Sequence, residues 1–253
     1  MKPKLTLVGA GPGDPELLTL KGLKAIQSAD VVLYDALVST ELLTYAPAHA
    51  RIVFVGKRRG RCEFVQQELN QLIVDYALNY GHVVRLKGGD SFVFGRGYEE
   101  LAFAQDFGIE TTVVPGISSS IAVPALAGIP LTCRGVSESF WVLTGTTKNH
   151  TLSKDVAKAA QSSATLVILM GMQHLAQIVA ELAGAGKGDT PVAIIQNGST
   201  SEEKIGLGTV NSIVEVVEKE ALANPAIIVI GEVVRLHPAY EKGRMEVLST
   251  LGY

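Results

Sequence analysis

Residues 85–100 read Arg85-Leu-Lys-Gly-Gly-Asp-Ser-Phe-Val-Phe-Gly-Arg-Gly-Tyr-Glu-Glu100. An apolar run containing Val83, Val84 and Leu86 breaks at Gly88-Gly89-Asp90, and a helical pattern resumes near Tyr98. Paired glycines at the carboxyl end of a strand let backbone approach a ligand with no Cβ in the way. The carboxylate after them accepts bonds from hydroxyl or ammonium groups. The same pattern also makes a plain turn, so its meaning depends on the chain around it.

Outward from this stretch, short apolar runs at 4–9, 30–34, 51–55, 82–87 and 109–114 alternate with helical patterns at 15–28, 39–46, 63–80 and 97–107. Such alternation predicts a mostly parallel sheet covered on both faces. The clearest helix is 63–80, where Phe64, Val65, Leu69, Leu72, Ile73, Tyr76 and Tyr80 recur at helical spacing before Gly81 stops it. Val114-Pro-Gly116 is the expected joint between an N-terminal α/β lobe, 1–114, and a C-terminal α/β lobe, 115–253. A helical pattern at 118–127 follows the joint. Strands are then expected at 140–144, 164–169, 192–196, 204–210 and 226–230, with helices at 154–161, 173–183 and 211–221 between them. The expected class is α/β: two lobes with mainly parallel sheets and a cofactor cleft between them.

A chain of 253 residues with 47% hydrophobic and 19% charged residues can bury a full core. Its net charge of −3 argues against a nucleic-acid partner. No apolar run reaches the roughly 18 residues of a membrane span, and Met1-Lys-Pro-Lys4 does not read as a signal peptide. A cytoplasmic protein with no membrane partner is expected. Cys62 and Cys133 have no metal spacing, and His49, His82, His150, His174 and His237 stand far apart, so no metal site is expected.

A second glycine loop lies at the amino terminus, where Leu5-Thr-Leu-Val8 runs into Gly9-Ala-Gly-Pro-Gly-Asp-Pro15. It differs from a dinucleotide fingerprint where the chemistry matters, because Pro12 removes a backbone donor and Asp14 places a negative charge where a pyrophosphate would sit. Asp14 and Pro15 suit the N-cap and first position of a helix. The loop is therefore suited to a ligand that is neutral or cationic at this point.

With Tyr34-Asp-Ala-Leu-Val38, Val114-Pro-Gly-Ile-Ser-Ser119, Ala127-Gly-Ile-Pro-Leu-Thr132, Leu169-Met-Gly171, Asn224-Pro-Ala226 and Gly231-Glu-Val-Val234, these loops resemble the tetrapyrrole methylase family from residue 4 to about 236. The resemblance implies a cytoplasmic homodimer. It also implies two successive methyl transfers from S-adenosylmethionine, released as S-adenosylhomocysteine, to ring carbons C2 and C7 of uroporphyrinogen III. Precorrin-1 and then precorrin-2 would form, for sirohaem or cobalamin synthesis. Methyl transfer from a sulfonium is mainly a positioning problem, worth roughly 7–11 kcal/mol. Carbon methylation leaves a cationic pyrrole until a proton departs.

On the family's pattern Asp35 is the base, at the end of the apolar run Val31-Val-Leu-Tyr34; an Asp after a strand also caps turns. Lys57 matches a proton-donor lysine, or neutralises a substrate carboxylate. The cofactor would meet Pro12, Gly88, Gly89, Asp90, Val93, Ser118, Ser119, Met170, Gly198, Pro225 and Ala226. The eight carboxylates of uroporphyrinogen III would meet Arg58, Arg59, Arg61, Arg96 and Arg134, since guanidinium forks suit carboxylates; a run of cations is also an ordinary solvated face. Arg85 and Lys87 are further cations at strand ends or loops.

The chain departs from the family's pattern at Ser91, Tyr98, Cys133, Thr146 and Glu203. The lost histidines at 133 and 146 leave room for a methylase of a later precorrin or a related substrate. A nicotinamide-dependent oxidoreductase is the reading from a different class, against which Pro12 and Asp14 argue.

Overall fold

The computed structural model describes residues 2–56 and 65–240. The chain divides into two compact units, one up to Ser118 and one from Ser119. In the first, β1 (Lys4–Gly9), β2 (Val31–Tyr34), β3 (Arg51–Phe54), β4 (His82–Lys87) and β5 (Glu110–Val114) form a five-stranded sheet of order β3-β2-β4-β1-β5. Every pairing in it is parallel. Parallel neighbours require crossovers, supplied here in part by α1 (Leu20–Gln27), α2 (Gln66–Tyr80) and α3 (Gly97–Asp106).

Strand residues alternate between two buried faces, as the period of two demands. Leu5, Leu7, Val31, Leu33 and Val83 pack with Leu69, Ile73, Val74 and Ala77 of α2 and Ala104 of α3. Val8, Val32, Val84 and Leu86 pack on the opposite side with Ile26 of α1 and Leu42. Gly81 ends α2 at φ +108, its N–H donating to Ala77 O at 3.1 Å, and Glu68 reaches back to the Val65 N–H at 3.0 Å. Of the apolar positions expected to face the core, Leu69 and Ile73 are buried, while Val65 and Tyr80 are exposed.

The helix expected over 15–28 is broken in two. Asp14 accepts from the Glu16 N–H at 2.8 Å and starts only a short 3-10 turn, Pro15–Leu17. Leu18 is extended, and Thr19 caps α1 anew by accepting from the Gly22 N–H at 3.1 Å. The helix expected over 39–46 is likewise a 3-10 segment, Thr40–Tyr45.

The second unit carries α4 (Ser119–Leu126), β6 (Phe140–Thr144), α5 (Asp155–Ala159), β7 (Thr165–Leu169), α6 (Leu175–Gly184), β8 (Pro191–Gln196), β9 (Lys204–Thr209), α7 (Ile213–Glu220) and β10 (Ala226–Ile230). Its five-stranded sheet has the order β6-β7-β10-β8-β9 and is mixed. β6 pairs parallel to β7, whereas β10 runs antiparallel to β7 and β8, and β9 antiparallel to β8. One side packs on α5, α6 and α7 through Leu166, Ile168, Val192, Ile194, Ile228 and Ile230. The other packs on Val123 and Ala127 through Ala193, Ile195, Ile227 and Val229.

Candidate active site

In the first unit the loops after β1, β4 and β5 cross at the carboxyl ends of their strands. Gly11 and Gly89 exchange backbone hydrogen bonds, Gly11 N to Gly89 O at 3.2 Å and Gly89 N to Gly11 O at 2.7 Å. A Cβ on Gly9 would lie 2.5 Å from Gly116 N and 2.7 Å from Gly89 O, all of it backbone, so no larger residue fits the crossing. Asp90 binds it together: Oδ1 accepts from Phe92 N at 2.8 Å and Oδ2 from Gly116 N at 2.9 Å. The carboxylate expected from sequence to contact a ligand is seen here as the clamp that shapes the loop. Pro12, Gly88, Gly89, Asp90 and Val93 all belong to these loops, and Ser118 follows Gly116 within a few residues.

Asp35 lies just beyond β2, with its backbone N–H on Leu86 O at 3.3 Å. The parallel register sets Leu33 beside Arg85, so the next residues on that face are Asp35 and Lys87. Arg85 Nη2 donates to Asp35 Oδ1 at 2.5 Å, and Lys87 Nζ stands 3.8 Å from Oδ2. Behind them, Glu100 of α3 accepts from Lys87 Nζ at 2.8 Å and lies 3.5 Å from Arg85 Nε. Arg85 Nη1 also donates to Leu86 O at 3.0 Å. The side chains of Arg85, Lys87 and Glu100 are 2%, 6% and 0% exposed, whereas that of Asp35 is 27% exposed. Desolvation lowers the Lys87 pKa from its ordinary 10.5, repulsion from Arg85 adds to this, and Glu100 and Asp35 oppose it.

Arg85, Lys87 and Glu100 were not assigned a role from sequence. The signal was present: two cations at alternate positions of an apolar strand, and a carboxylate three residues after the buried Gly97 on the inner stripe of α3.

Arg96 caps α3 from the left-handed region, φ +58, and is exposed. It grips Glu99 through Nε to Oε1 at 2.9 Å and Nη2 to Oε2 at 2.6 Å. An exposed pair of this kind is worth little. Lys57, Arg58, Arg59 and Arg61 lie outside the described residues.

In the second unit, one end of the sheet gathers the carboxyl ends of β6, β7 and β8 with the start of β10. Met170, Gly198, Pro225 and Ala226 meet there. Met170 is 47% exposed at φ +55, an unusual conformation for its type that turns the chain straight after β7. Thr146 Oγ1 donates to Met170 O at 2.7 Å, so one departure from the family's pattern supports this turn. Asn197 N donates to Pro225 O at 2.9 Å, and a Cβ on Gly198 would strike Val123 of α4 at 2.2 Å. Glu203 Oε2 accepts from Ser199 N at 3.0 Å beside it. Ser119 is the first residue of α4. Arg134 is exposed in the Cys133–Ser137 turn, which Ser137 ties to Thr165 at the amino end of β7, the end away from Met170.

Residues 4–214 match the family of Tetrapyrrole (Corrin/Porphyrin) Methylases. The chain belongs to this family. A tetrapyrrole methylase of Methanocaldococcus jannaschii, a uroporphyrinogen-III C-methyltransferase, is 50% identical over 93% of this chain and 98% of its own length. A siroheme synthase of Actinobacillus succinogenes is 47% identical over 92% of this chain, matched to 49% of that longer protein. Among solved tetrapyrrole methylases, the uroporphyrin-III C-methyl transferase of Thermus thermophilus complexed with S-adenosyl homocysteine is 38% identical, with a TM-score of 0.79 over 92% of this chain and 99% of that one. A cobalt precorrin-4 methyltransferase superposes with a TM-score of 0.81 at 28% identity.

The residues present fit a sulfonium cofactor. The crossing at Gly9, Gly89 and Gly116 brings bare backbone to the strand ends, and Asp14 keeps a negative charge at the loop, which suits a cationic or neutral ligand and repels a pyrophosphate. Among the described residues no helix is long and apolar enough to cross a membrane.

Proposed function

We propose that this tetrapyrrole methylase transfers methyl groups from S-adenosylmethionine to carbons C2 and C7 of uroporphyrinogen III, forming precorrin-2 by way of precorrin-1. The observation that carries this reading is the identity of 50% with the Methanocaldococcus jannaschii methyltransferase across nearly the whole of both chains. The arrangement around Asp35 supports it.

When bound, S-adenosylmethionine supplies an electrophilic methyl group. The backbone at Gly9, Gly89 and Gly116 and the residues Pro12, Asp90, Val93, Ser118, Ser119, Met170, Gly198, Pro225 and Ala226 bind and orient the donor. Asp35, held at Oδ1 by Arg85, accepts the proton that the methylated macrocycle must lose. Lys57 donates a proton or neutralises a substrate carboxylate. Arg96, exchanging Glu99 for a substrate carboxylate, with Arg58, Arg59 and Arg61, meets the acid groups on the macrocycle rim, whereas Arg134, at the end of the second sheet away from Met170, has no part in this reading. The product feeds sirohaem or cobalamin synthesis, and the working form is a cytoplasmic homodimer.

Uroporphyrinogen III incubated without oxygen with labelled S-adenosylmethionine tests this directly. Two labelled methyl groups per macrocycle are expected. No incorporation by a folded sample that binds S-adenosylhomocysteine overturns the reading, and a single methyl placed on a later precorrin moves the activity elsewhere in the same family.

A further inference from the structure

Four charged side chains gather against one face of the first sheet: Arg85 and Lys87 from β4 lie between Asp35, just beyond β2, and Glu100 of α3. Three of them are sealed, with Arg85 at 1% and Glu100 at 1% of residue exposure, and Asp35 alone reaches the surface. Among the described residues Gln66 of α2 is the remaining polar group hydrogen-bonded to Glu100, its Nε2 donating to Oε1 at 3.4 Å and to Asn70 Oδ1 at 2.9 Å. Glu100 Oε2 has no hydrogen-bond partner among the described residues.

Such a cluster is a poor way to stabilise a fold. Removing two cations and a carboxylate from water is costly, and apolar residues of similar volume often hold a core as well or better. An unpaired carboxylate oxygen adds to that cost. The geometry gives the charges a direction instead. Glu100 stands behind both cations, hydrogen-bonded to Lys87 Nζ at 2.8 Å and ion-paired at 3.5 Å with Arg85 Nε, which has no hydrogen-bond partner among the described residues, and both cations point on to Asp35, Arg85 at 2.5 Å and Lys87 at 3.8 Å.

We propose that Glu100 is a positioning residue for Asp35, acting through Lys87 and Arg85 so that the proton-accepting carboxylate meets the macrocycle in one fixed orientation. This rests on the reading of Asp35 as the base. Fixed orientation matters because a displacement of an ångström can cost about a hundredfold in rate. The charged groups facing Asp35 among the described residues are Arg85 and Lys87 from β4, with Glu100 of α3 behind them.

The test compares wild type, Asp35→Asn and the double variant Lys87→Met with Glu100→Gln in the assay with uroporphyrinogen III and S-adenosylmethionine, with S-adenosylhomocysteine affinity and melting temperature measured alongside. The double variant removes one charge of each sign, so no lone ion stays buried. Expected are near-native melting and cofactor affinity, an unchanged KM for S-adenosylmethionine, a kcat lowered ~10- to ~100-fold, and a displaced acid limb in the kcat profile. Wild-type kcat and pH profile in the double variant overturn the proposal; if Asp35→Asn is slow at the same time, the reading of Asp35 survives and only the role of Glu100 falls. Full turnover by Asp35→Asn overturns both. If the double variant does not bind S-adenosylhomocysteine, Arg85→Lys decides, since it keeps the charge and loses the fork: reduced kcat at unchanged KM supports the proposal, and native kcat overturns it.

Discussion

A methyl group at Gly9 would decide whether the three loops can meet. Its contacts would be Gly116 N at 2.5 Å, Gly116 Cα at 2.6 Å and Gly89 O at 2.7 Å, atoms that move only if the strand ends separate. Gly9→Ala is expected to lower the melting temperature and weaken S-adenosylhomocysteine at least about tenfold by calorimetry, a loss of ~1.4 kcal/mol; native affinity would show that the crossing does not shape the cofactor site. Gly184 is the contrast, with nothing within 4 Å of its added Cβ. Gly184→Ala is expected to stabilise by about 0.5–1 kcal/mol in urea titrations, since it only removes unfolded-state freedom. Lys87 gives a pH signature. Its pKa lies below the ordinary 10.5 through burial, so between those two values the unfolded chain binds more protons than the folded one, and stability rises with pH across that window. Lys87→Met, compared with wild type by urea unfolding on either side of that window, should lose this rise; an equal slope in both proteins would contradict the burial of its charge.

The apolar runs of the sequence became strands with small shifts at their ends, because strands buried on both faces must be apolar at nearly every position. β10 occupies the expected 226–230. Strand direction was harder to read, since a buried run looks the same whether its neighbour is parallel or antiparallel, and the second sheet is mixed for reasons that lie in long-range pairing. The break at Leu18 escaped because Asp14-Pro15 is a good start signal and Thr19 is a second one immediately after it. Asp35 and the glycine loops were legible as motifs. The role of Glu100 was not, because a carboxylate on the inner stripe of a helix has meaning only once Lys87 and Arg85 are known to face it. α2 offers a test of the packing: Ile73 is fully buried against the sheet, so Ile73→Ala is expected to destabilise by roughly 2–5 kcal/mol in chemical denaturation. A loss under ~1 kcal/mol would mean that α2 is not packed as described.

At the scale of the whole chain, cofactor binding and folding are linked. S-adenosylhomocysteine at a hundred times its Kd should add about 2.7 kcal/mol to stability, read as a rise in melting temperature, while NAD at the same concentration should add nothing; the reverse order would point away from methyl transfer. The strand orders have a consequence for biosynthesis. β1 emerges first yet sits between β4 and β5, and β10 fills the centre of the second sheet between β7 and β8. A nascent chain therefore holds β1 without its first partner until β4 is complete at residue 87 and without its second until β5 is complete at residue 114, and one cut short before Ala226 is left with two naked strand edges flanking a gap. Premature termination there should yield aggregates and chaperone clients, never a smaller working enzyme.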